Sequence, residues 1–205
     1  IAHSTDKAVE PACIYGATKL VMEKLLIRAN AESGASGPRF DIVRHGNLVG
    51  SRGSVIPLFE EQMSSGKLTV TDPEMTRFWI NGTTLVSIVH RTIVDGRGGE
   101  IFVPKLPACR LDTLVKAINQ DATIEIIGAR PGEKRHEALT AREEACRIRE
   151  FEEYLVIVPE YSSTSSRTDG TPVTERFQFR SNQAALLDTL EMREFLQGNF
   201  PTEPA

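Results

Sequence analysis

The sequence predicts an α/β fold. Short apolar runs alternate with longer stretches of helical periodicity, and Gly and Pro stand at the joints between them. Strands and helices in alternation pack as layers around a sheet. The chain opens on Ile1-Ala2-His3-Ser4, the tail of a buried strand, followed by a loop through Glu10-Pro11. Tyr15 to Ala31 carries a helix pattern, in which Leu20, Lys24 and Ile27 continue the Tyr15 register. Leu25 and Leu26 widen its apolar side, and Gly34 stops it. Phe40-Asp41-Ile42-Val43 is a short buried strand ending at Arg44, and His45 to Gly53 is a loop of residues that tolerate unusual backbone angles. Ile56 to Met63 is helical, Leu68-Thr69-Val70 a strand, and Thr84 to Val94 a helix closed by Gly96. Ile101-Phe102-Val103 is a strand stopped by Pro104, Leu111 to Ile118 a helix, and Ile124 to Ile127 a strand. Glu160 to Thr174, polar and rich in Ser and Thr, reads as a mobile excursion. A strand around Phe177-Gln178-Phe179 and a helix from Thr189 to Leu196 finish the fold.

With 205 residues, 40% of them hydrophobic, the chain suffices for one domain, or one and a part, with a sizeable core. A net charge of −4 weighs against a general nucleic-acid binder, but a few arginines in a cleft hold a diphosphate whatever the overall sign. No apolar run approaches the roughly 18 residues of a membrane-crossing helix, and nothing resembles a signal peptide. A cytoplasmic protein without a membrane segment is expected. Cys13, Cys109 and Cys146 are too widely spaced for a metal motif and read as reduced and structural. His3, His45, His90 and His136 share no metal spacing either, so no metal is expected. The chain starts without Met inside its own first strand, which would leave backbone groups unpaired; a longer parent protein is expected.

Tyr15-Gly16-Ala17-Thr18-Lys19 places a phenol and an ammonium four residues apart on one helix face. A neighbouring cation stabilises phenolate and lowers a tyrosine pKa from about 10, which makes Tyr15 a usable base. Alone, the spacing also fits a surface pair. Upstream, Thr5, Asp6 and Lys7 lie at a strand end, where open α/β sheets place their ligands. An acid and a base side by side there either serve opposite faces of one substrate or form a solvated turn.

Ser4-Thr5-Asp6-Lys7-Ala8-Val9 followed by Tyr15-Gly16-Ala17-Thr18-Lys19 resembles the extended short-chain dehydrogenase/reductases that process nucleotide sugars. Within them the resemblance is greatest to the inverting UDP-N-acetylglucosamine 4,6-dehydratases of the polysaccharide-biosynthesis, CapD-like group. Arg44 to Pro57, Leu68 to Trp79, Gly99 to Lys105 and Ile127 to Glu137 agree in the same order, so the similarity runs from residue 1 to about 158. Two positions depart from the pattern: His45 stands where Tyr or Phe is expected, and Glu10 where Asn is common. Tyr15, where large membrane-anchored relatives often carry Met, favours the short soluble enzymes. The family's Gly-rich cofactor turn is not in the chain.

The resemblance implies the C-terminal part of a Rossmann-type extended short-chain dehydrogenase/reductase with its small α/β substrate domain. Residues 1–50 would be the remainder of the NADP-binding domain, 51–160 mainly nucleotide-sugar binding with segments returning to the Rossmann core, and 161–205 a flexible loop with the last strand and helix. It also implies a three-step reaction. Tyr15, helped by Lys19, takes the C4 hydroxyl proton while hydride leaves C4 for NADP. Lys7 then removes the C5 proton and Asp6 protonates the departing C6 hydroxyl. Hydride returns to C6, and C5 is protonated on the opposite face. Thr5 would bond the sugar hydroxyl. Lys19 would also bond the nicotinamide ribose, and Leu48, Val49, Gly50, Ser51 and Arg52 would pass near the cofactor, NADP with NAD left open. Lys7, Asn47, Val55, Thr69, Thr71, Arg77, Arg130 and Glu133 would bind the UDP-sugar, with Arg77 and Arg130 gripping the pyrophosphate. A homo-oligomer, inactive without the cofactor half, is implied as well. An epimerase, a retaining dehydratase or a non-catalytic nucleotide-sugar-binding subunit are the competing expectations. The Asp6-Lys7 pair separates the first two, because retaining enzymes usually present Asp-Glu there and simple epimerases need neither.

Overall fold

The computed structural model of the chain describes residues 1–34, 36–51, 55–62, 66–160 and 167–198. In chain order these form β1 (Ala2–Thr5), a 3₁₀ turn (Asp6–Ala8), α1 (Ile14–Ser33), β2 (Ile42–His45), β3 (Asn47–Leu48) and α2 (Val55–Gln62). Then come β4 (Lys67–Val70), β5 (Thr76–Ile80), α3 (Gly82–Asp95), β6 (Ile101–Pro104), β7 (Ala108–Arg110), α4 (Leu111–Ile118) and β8 (Thr123–Ile126). A second 3₁₀ turn (Arg142–Arg147), β9 (Ile148–Glu150), β10 (Tyr154–Ile157), β11 (Thr171–Pro172) and α5 (Thr189–Gln197) complete the order. The elements gather into two compact units interleaved along the chain. The first comprises Ile1–His45, Thr83–Lys105 and Ala138–Arg180; the second comprises Gly46–Gly82, Leu106–Glu137 and the chain from Ser181 onward.

In the first unit one sheet runs β1-β2-β6-β10-β9-β11. β1, β2 and β6 are parallel, and the remaining pairings are antiparallel. Parallel strands are buried on both faces and so lose the alternation of a half-exposed strand. β6 is buried at all four positions, Ile-Phe-Val-Pro. β10, Tyr-Leu-Val-Ile, is equally buried, and periodicity alone does not identify so short an apolar run. Val43, Phe102 and Val156 meet Ile88 of α3 in the core of this unit.

The polar stretch expected as an excursion is pinned at Arg167, whose side chain is 2% exposed. Its guanidinium forks onto Glu100 at 2.7 and 2.8 Å and lies 5.7 and 5.6 Å from the Phe102 and Phe151 rings. One buried arginine therefore anchors what composition alone reads as solvated; residues 161–166 lie outside the described set. Phe177-Gln178-Phe179, expected as a strand, forms none: the Phe177 N–H closes a turn on the Thr174 carbonyl at 2.9 Å, and the neighbouring Arg180 makes an isolated bridge to Ala138. The Phe179 N–H donates to the Thr140 hydroxyl at 2.8 Å, and a side chain standing where a backbone carbonyl would be ends the ladder.

In the second unit β3 lies parallel to β5 and β7 antiparallel to it, while β4 and β8 pair as a parallel ribbon. All five residues of β5, Thr-Arg-Phe-Trp-Ile, are buried, which hides that strand from a period-two search. Phe59, Leu68, Trp79, Leu114 and Met192 form the core. Asp188 caps α5 by accepting from the Leu190 and Glu191 N–H groups, and Glu191 returns the bond to the Asp188 N–H at 2.8 Å. Among the described residues no helix is long and apolar enough to cross a membrane.

Candidate active site

β1 delivers Thr5 in an extended conformation, and the chain turns at once into the 3₁₀ turn of Asp6 to Ala8. The Thr5 hydroxyl accepts the Lys7 N–H at 3.3 Å and donates to Asp6 Oδ1 at 2.9 Å. Lys7 Nζ donates to the same oxygen at 3.0 Å. Asp6 is fully buried, and its Oδ2 has no hydrogen-bond partner. A carboxylate with one oxygen committed and the other orphaned is an unusual thing to bury. The neighbouring Ser4 hydroxyl is buried without a partner too.

α1 starts six residues beyond this turn. Cys13 caps it, its sulfur accepting the Gly16 N–H at 3.5 Å. Gly16 seats the helix: a Cβ there would lie 2.1 Å from the Lys7 carbonyl oxygen, so only glycine lets the first turn of α1 rest on the Asp6–Lys7 turn. Tyr15 is 53% exposed. Lys19 Nζ lies 5.9 Å from the Tyr15 ring centroid and donates to the His3 carbonyl at 2.9 Å, tying the helix to β1. The structure thus brings Thr5, Asp6, Lys7, Tyr15 and Lys19 together within one unit.

The helix register differs from the expected one. Tyr15 and Leu25 face outward, Lys24 is exposed and pairs with Glu160 at 2.7 Å, and the buried positions are Gly16, Glu23 and Ile27. A glycine and a glutamate on the inward face defeat any search for an apolar stripe. Glu23 is balanced by Arg44 at the end of β2, with Glu144 on the other side of the guanidinium. Burial alone would weaken the Arg44 charge, yet Glu144 and Glu23 hold it above the ordinary arginine range. In turn Arg44 holds Glu144 below the ordinary carboxylate range against its burial. None of Gly16, Glu23, Arg44 and Glu144 stood out in the sequence. The signal was a Lys-to-Glu spacing of four on α1 and a lone Arg inside an apolar strand.

The remaining candidates belong to the second unit. Asn47 and Leu48 pair with Trp79 and Ile80 of β5. The Val49 N–H donates to the Ile80 carbonyl at 3.0 Å and the Ser51 N–H to that of Leu48 at 3.2 Å, closing a turn through Gly50 at φ 74°. Arg52 lies outside the described residues. Val55 opens α2 and packs on the core. Thr69 is occupied by Gln62, which accepts its N–H and donates to its hydroxyl, both at 2.9 Å. The Thr71 hydroxyl donates to Met75 Sδ at 3.4 Å. Arg77 is 8% exposed, and its guanidinium reaches the Thr76 and Arg135 carbonyls at 2.9 and 3.2 Å and Met75 Sδ at 3.2 Å. Among the described residues no carboxylate pairs with it, which leaves a buried cation suited to an anion. Arg130 is exposed; Glu133 accepts its backbone N–H at 3.1 Å, so the two close a turn through the main chain.

The protein-family model described as "Polysaccharide biosynthesis protein" matches residues 1–159. The UDP-N-acetylglucosamine 4,6-dehydratase (inverting) of Campylobacter jejuni subsp. jejuni serotype O:2 is 39% identical over 197 residues, 91% of this chain and 59% of that protein. The UDP-glucose 4-epimerase of Rickettsia rickettsii is 42% identical over 163 residues, 77% of this chain and 48% of its own. The chain thus spans about half to three-fifths of the length of these relatives. The X-ray structure of Pen from Bacillus thuringiensis superposes with a TM-score of 0.85 at 32% identity, covering 96% of this chain and 60% of that one. DesIV, a dTDP-glucose 4,6-dehydratase from Streptomyces venezuelae, superposes with a TM-score of 0.55 at 21% identity over 65% of this chain and 48% of its own, a likeness of fold alone. The chain belongs to the polysaccharide biosynthesis protein family and has the Rossmann-type fold of the extended short-chain dehydrogenase/reductases.

Proposed function

We propose that the protein carrying this chain is an inverting 4,6-dehydratase of UDP-N-acetylglucosamine, yielding UDP-2-acetamido-2,6-dideoxy-β-L-arabino-hexos-4-ulose. The observation that carries this reading is the Asp6–Lys7 pair, a buried carboxylate 3.0 Å from a partly exposed ammonium at the end of β1. Elimination of water across C5 and C6 needs one group to take a proton and another to give one. The pair holds one transferable proton on a direct hydrogen bond. Moving it from Lys7 Nζ to Asp6 Oδ1 yields a neutral amine and a protonated acid without changing the net charge.

The residues present fit a nicotinamide nucleotide. Tyr15 is half exposed, and Lys19 spends one of its three protons on His3. Bound there, NADP (or NAD) would take hydride from the sugar C4 and return it at C6. Tyr15, helped by Lys19, takes the C4 hydroxyl proton, and the ketone so formed acidifies C5–H. Lys7 removes that proton while Asp6 protonates the leaving C6 hydroxyl, with Thr5 on the sugar hydroxyl. Delivery of a proton to the other face of C5 inverts it. Arg77, paired with no carboxylate among the described residues, and Arg130 take the pyrophosphate; Lys7, Asn47, Val55, Thr69, Thr71 and Glu133 line the substrate, and Leu48 to Arg52 the cofactor. The same assignment includes a cytoplasmic homo-oligomer working in bacterial surface-polysaccharide or pseudaminic-acid-type sugar biosynthesis.

Relatives named UDP-glucose 4-epimerase support a second reading, in which the C4 hydroxyl is inverted and no water is lost. Mass spectrometry of the product from UDP-N-acetylglucosamine decides. Loss of one water supports the dehydratase, whereas an isomer of unchanged mass supports the epimerase.

A further inference from the structure

A buried charge cluster in the first unit touches none of the residues assigned to chemistry. Arg44 donates to Glu23 at 2.9 and 2.7 Å, to Glu144 at 2.9 Å through two nitrogens, and to the Leu139 carbonyl at 3.1 Å. The Arg44 and Glu23 side chains are each 1% exposed. Two carboxylates around one guanidinium leave an excess negative charge, and apolar residues of similar volume commonly stabilise such a place as well or better. Stability alone is therefore a poor account of the cluster.

Its geometry offers another. Glu23 lies one helical turn beyond Lys19, on the inward face that Gly16 and Ile27 share. Both Glu23 carboxylate oxygens are held by charge-assisted bonds, so α1 neither rotates nor slides without breaking them. One turn earlier Lys19 meets the His3 carbonyl at 2.9 Å, and one turn before that Gly16 rests on the Lys7 carbonyl. Rotating the helix by about 10° would move a side-chain tip roughly 6 Å from its axis by about 1 Å. A displacement of about that size in a reacting group can lower a rate by roughly two orders of magnitude.

We propose that Glu23 and Arg44 are positioning residues, setting the rotation of α1 that holds Tyr15 and Lys19, moving as one, beside the Asp6–Lys7 turn. The proposal rests on the assignment of Tyr15 and Lys19 as the proposed base. It is tested in the full-length protein by a double-mutant cycle of Glu23→Gln with Tyr15→Phe. Glu23→Gln keeps the shape of the side chain and is expected to lower kcat about tenfold with KM within about twofold. In the Tyr15→Phe background the same substitution is expected to change kcat by less than about twofold, because the reacting group it positions is gone. Equal losses in both backgrounds overturn the proposal. Arg44→Lys is expected to reproduce the loss of kcat; should it not fold, Glu23→Gln carries the test. A readout independent of turnover is the ζ-¹³C resonance of Tyr15, identified by its disappearance in Tyr15→Phe. It is expected to move in Glu23→Gln and in Lys19→Met, and a resonance unmoved by Glu23→Gln overturns the proposal. If the wild-type protein converts no nucleotide sugar, the proposed function falls while that resonance still decides the positioning role.

Discussion

Asp6 and Lys7 form an ion pair of 3.0 Å in which the carboxylate is fully buried while the ammonium side chain keeps 31% of its surface. Breaking such a pair leaves an uncompensated buried charge, so both members are sensitive positions. Lys7→Ala is expected to abolish dehydration while some transient cofactor reduction by the sugar persists. Asp6→Asn keeps the shape, removes the donated proton, and is expected to lower kcat by about 10²–10⁴-fold. Absorbance of the reduced nicotinamide and product analysis separate the two steps. Full turnover by Lys7→Ala removes Lys7 from the mechanism.

Gly16 tolerates no side chain. With a Cβ 2.1 Å from the Lys7 carbonyl oxygen, Gly16→Ala must push α1 off the Asp6–Lys7 turn. Overpacking of this kind destabilises by about 1–3 kcal/mol. A lower melting temperature together with lost turnover is expected, and wild-type values for both would contradict the seating role.

Arg77 reaches only carbonyls and a thioether within the described residues, so its charge is available to a diphosphate. Arg77→Lys keeps the charge but loses the fork, and is expected to weaken UDP binding about tenfold in calorimetry. Unchanged affinity would place the pyrophosphate elsewhere.

Arg44 makes the first unit sensitive to acid. Glu144 is held below its ordinary value of 4.5, despite burial, by Arg44 and by the Ala141 N–H. Its stabilisation is complete above that unfolded-state value and is lost as pH falls through the lower folded-state one. Glu144→Gln is thus expected to be less stable than wild type at neutral pH, with the gap closing below pH 4.5, as read from denaturant midpoints. A gap independent of pH would contradict the linkage.

Burial, with Asp112 nearby, pushes the Cys109 thiol up to about 12, whereas Cys146 is exposed. Alkylation of the folded protein near neutral pH, followed by peptide mass spectrometry, is expected to modify Cys146 and spare Cys109. Equal labelling of the two would mean that the Cys109 environment opens readily.

The five helices were legible in the sequence, as were the strands at β1, β2, β4, β6 and β8, although the face that α1 buries was not, because Gly16 and Glu23 break its apolar run. β5 and β10 were not, since burial on both faces removes the alternation that marks a strand. The residues bearing the proposed chemistry were visible as a motif, Thr5-Asp6-Lys7 and Tyr15 with Lys19. What holds them was not. Nothing in the sequence pairs Glu23 with Arg44 until the fold buries them together, or marks Gly16 until Lys7 is placed against it. Thr69, which the resemblance implies as a substrate contact, is also hydrogen-bonded by Gln62, a pairing that sequence spacing does not reveal.

The most direct test of the central assignment is the reaction of the full-length protein with UDP-N-acetylglucosamine in deuterated water, followed by NMR of the product. Delivery of a solvent proton to the second face of C5 predicts a 4-keto-6-deoxy sugar with deuterium at C5 in the L-arabino configuration. Retention at C5, or a product that still carries its C6 hydroxyl, would contradict it.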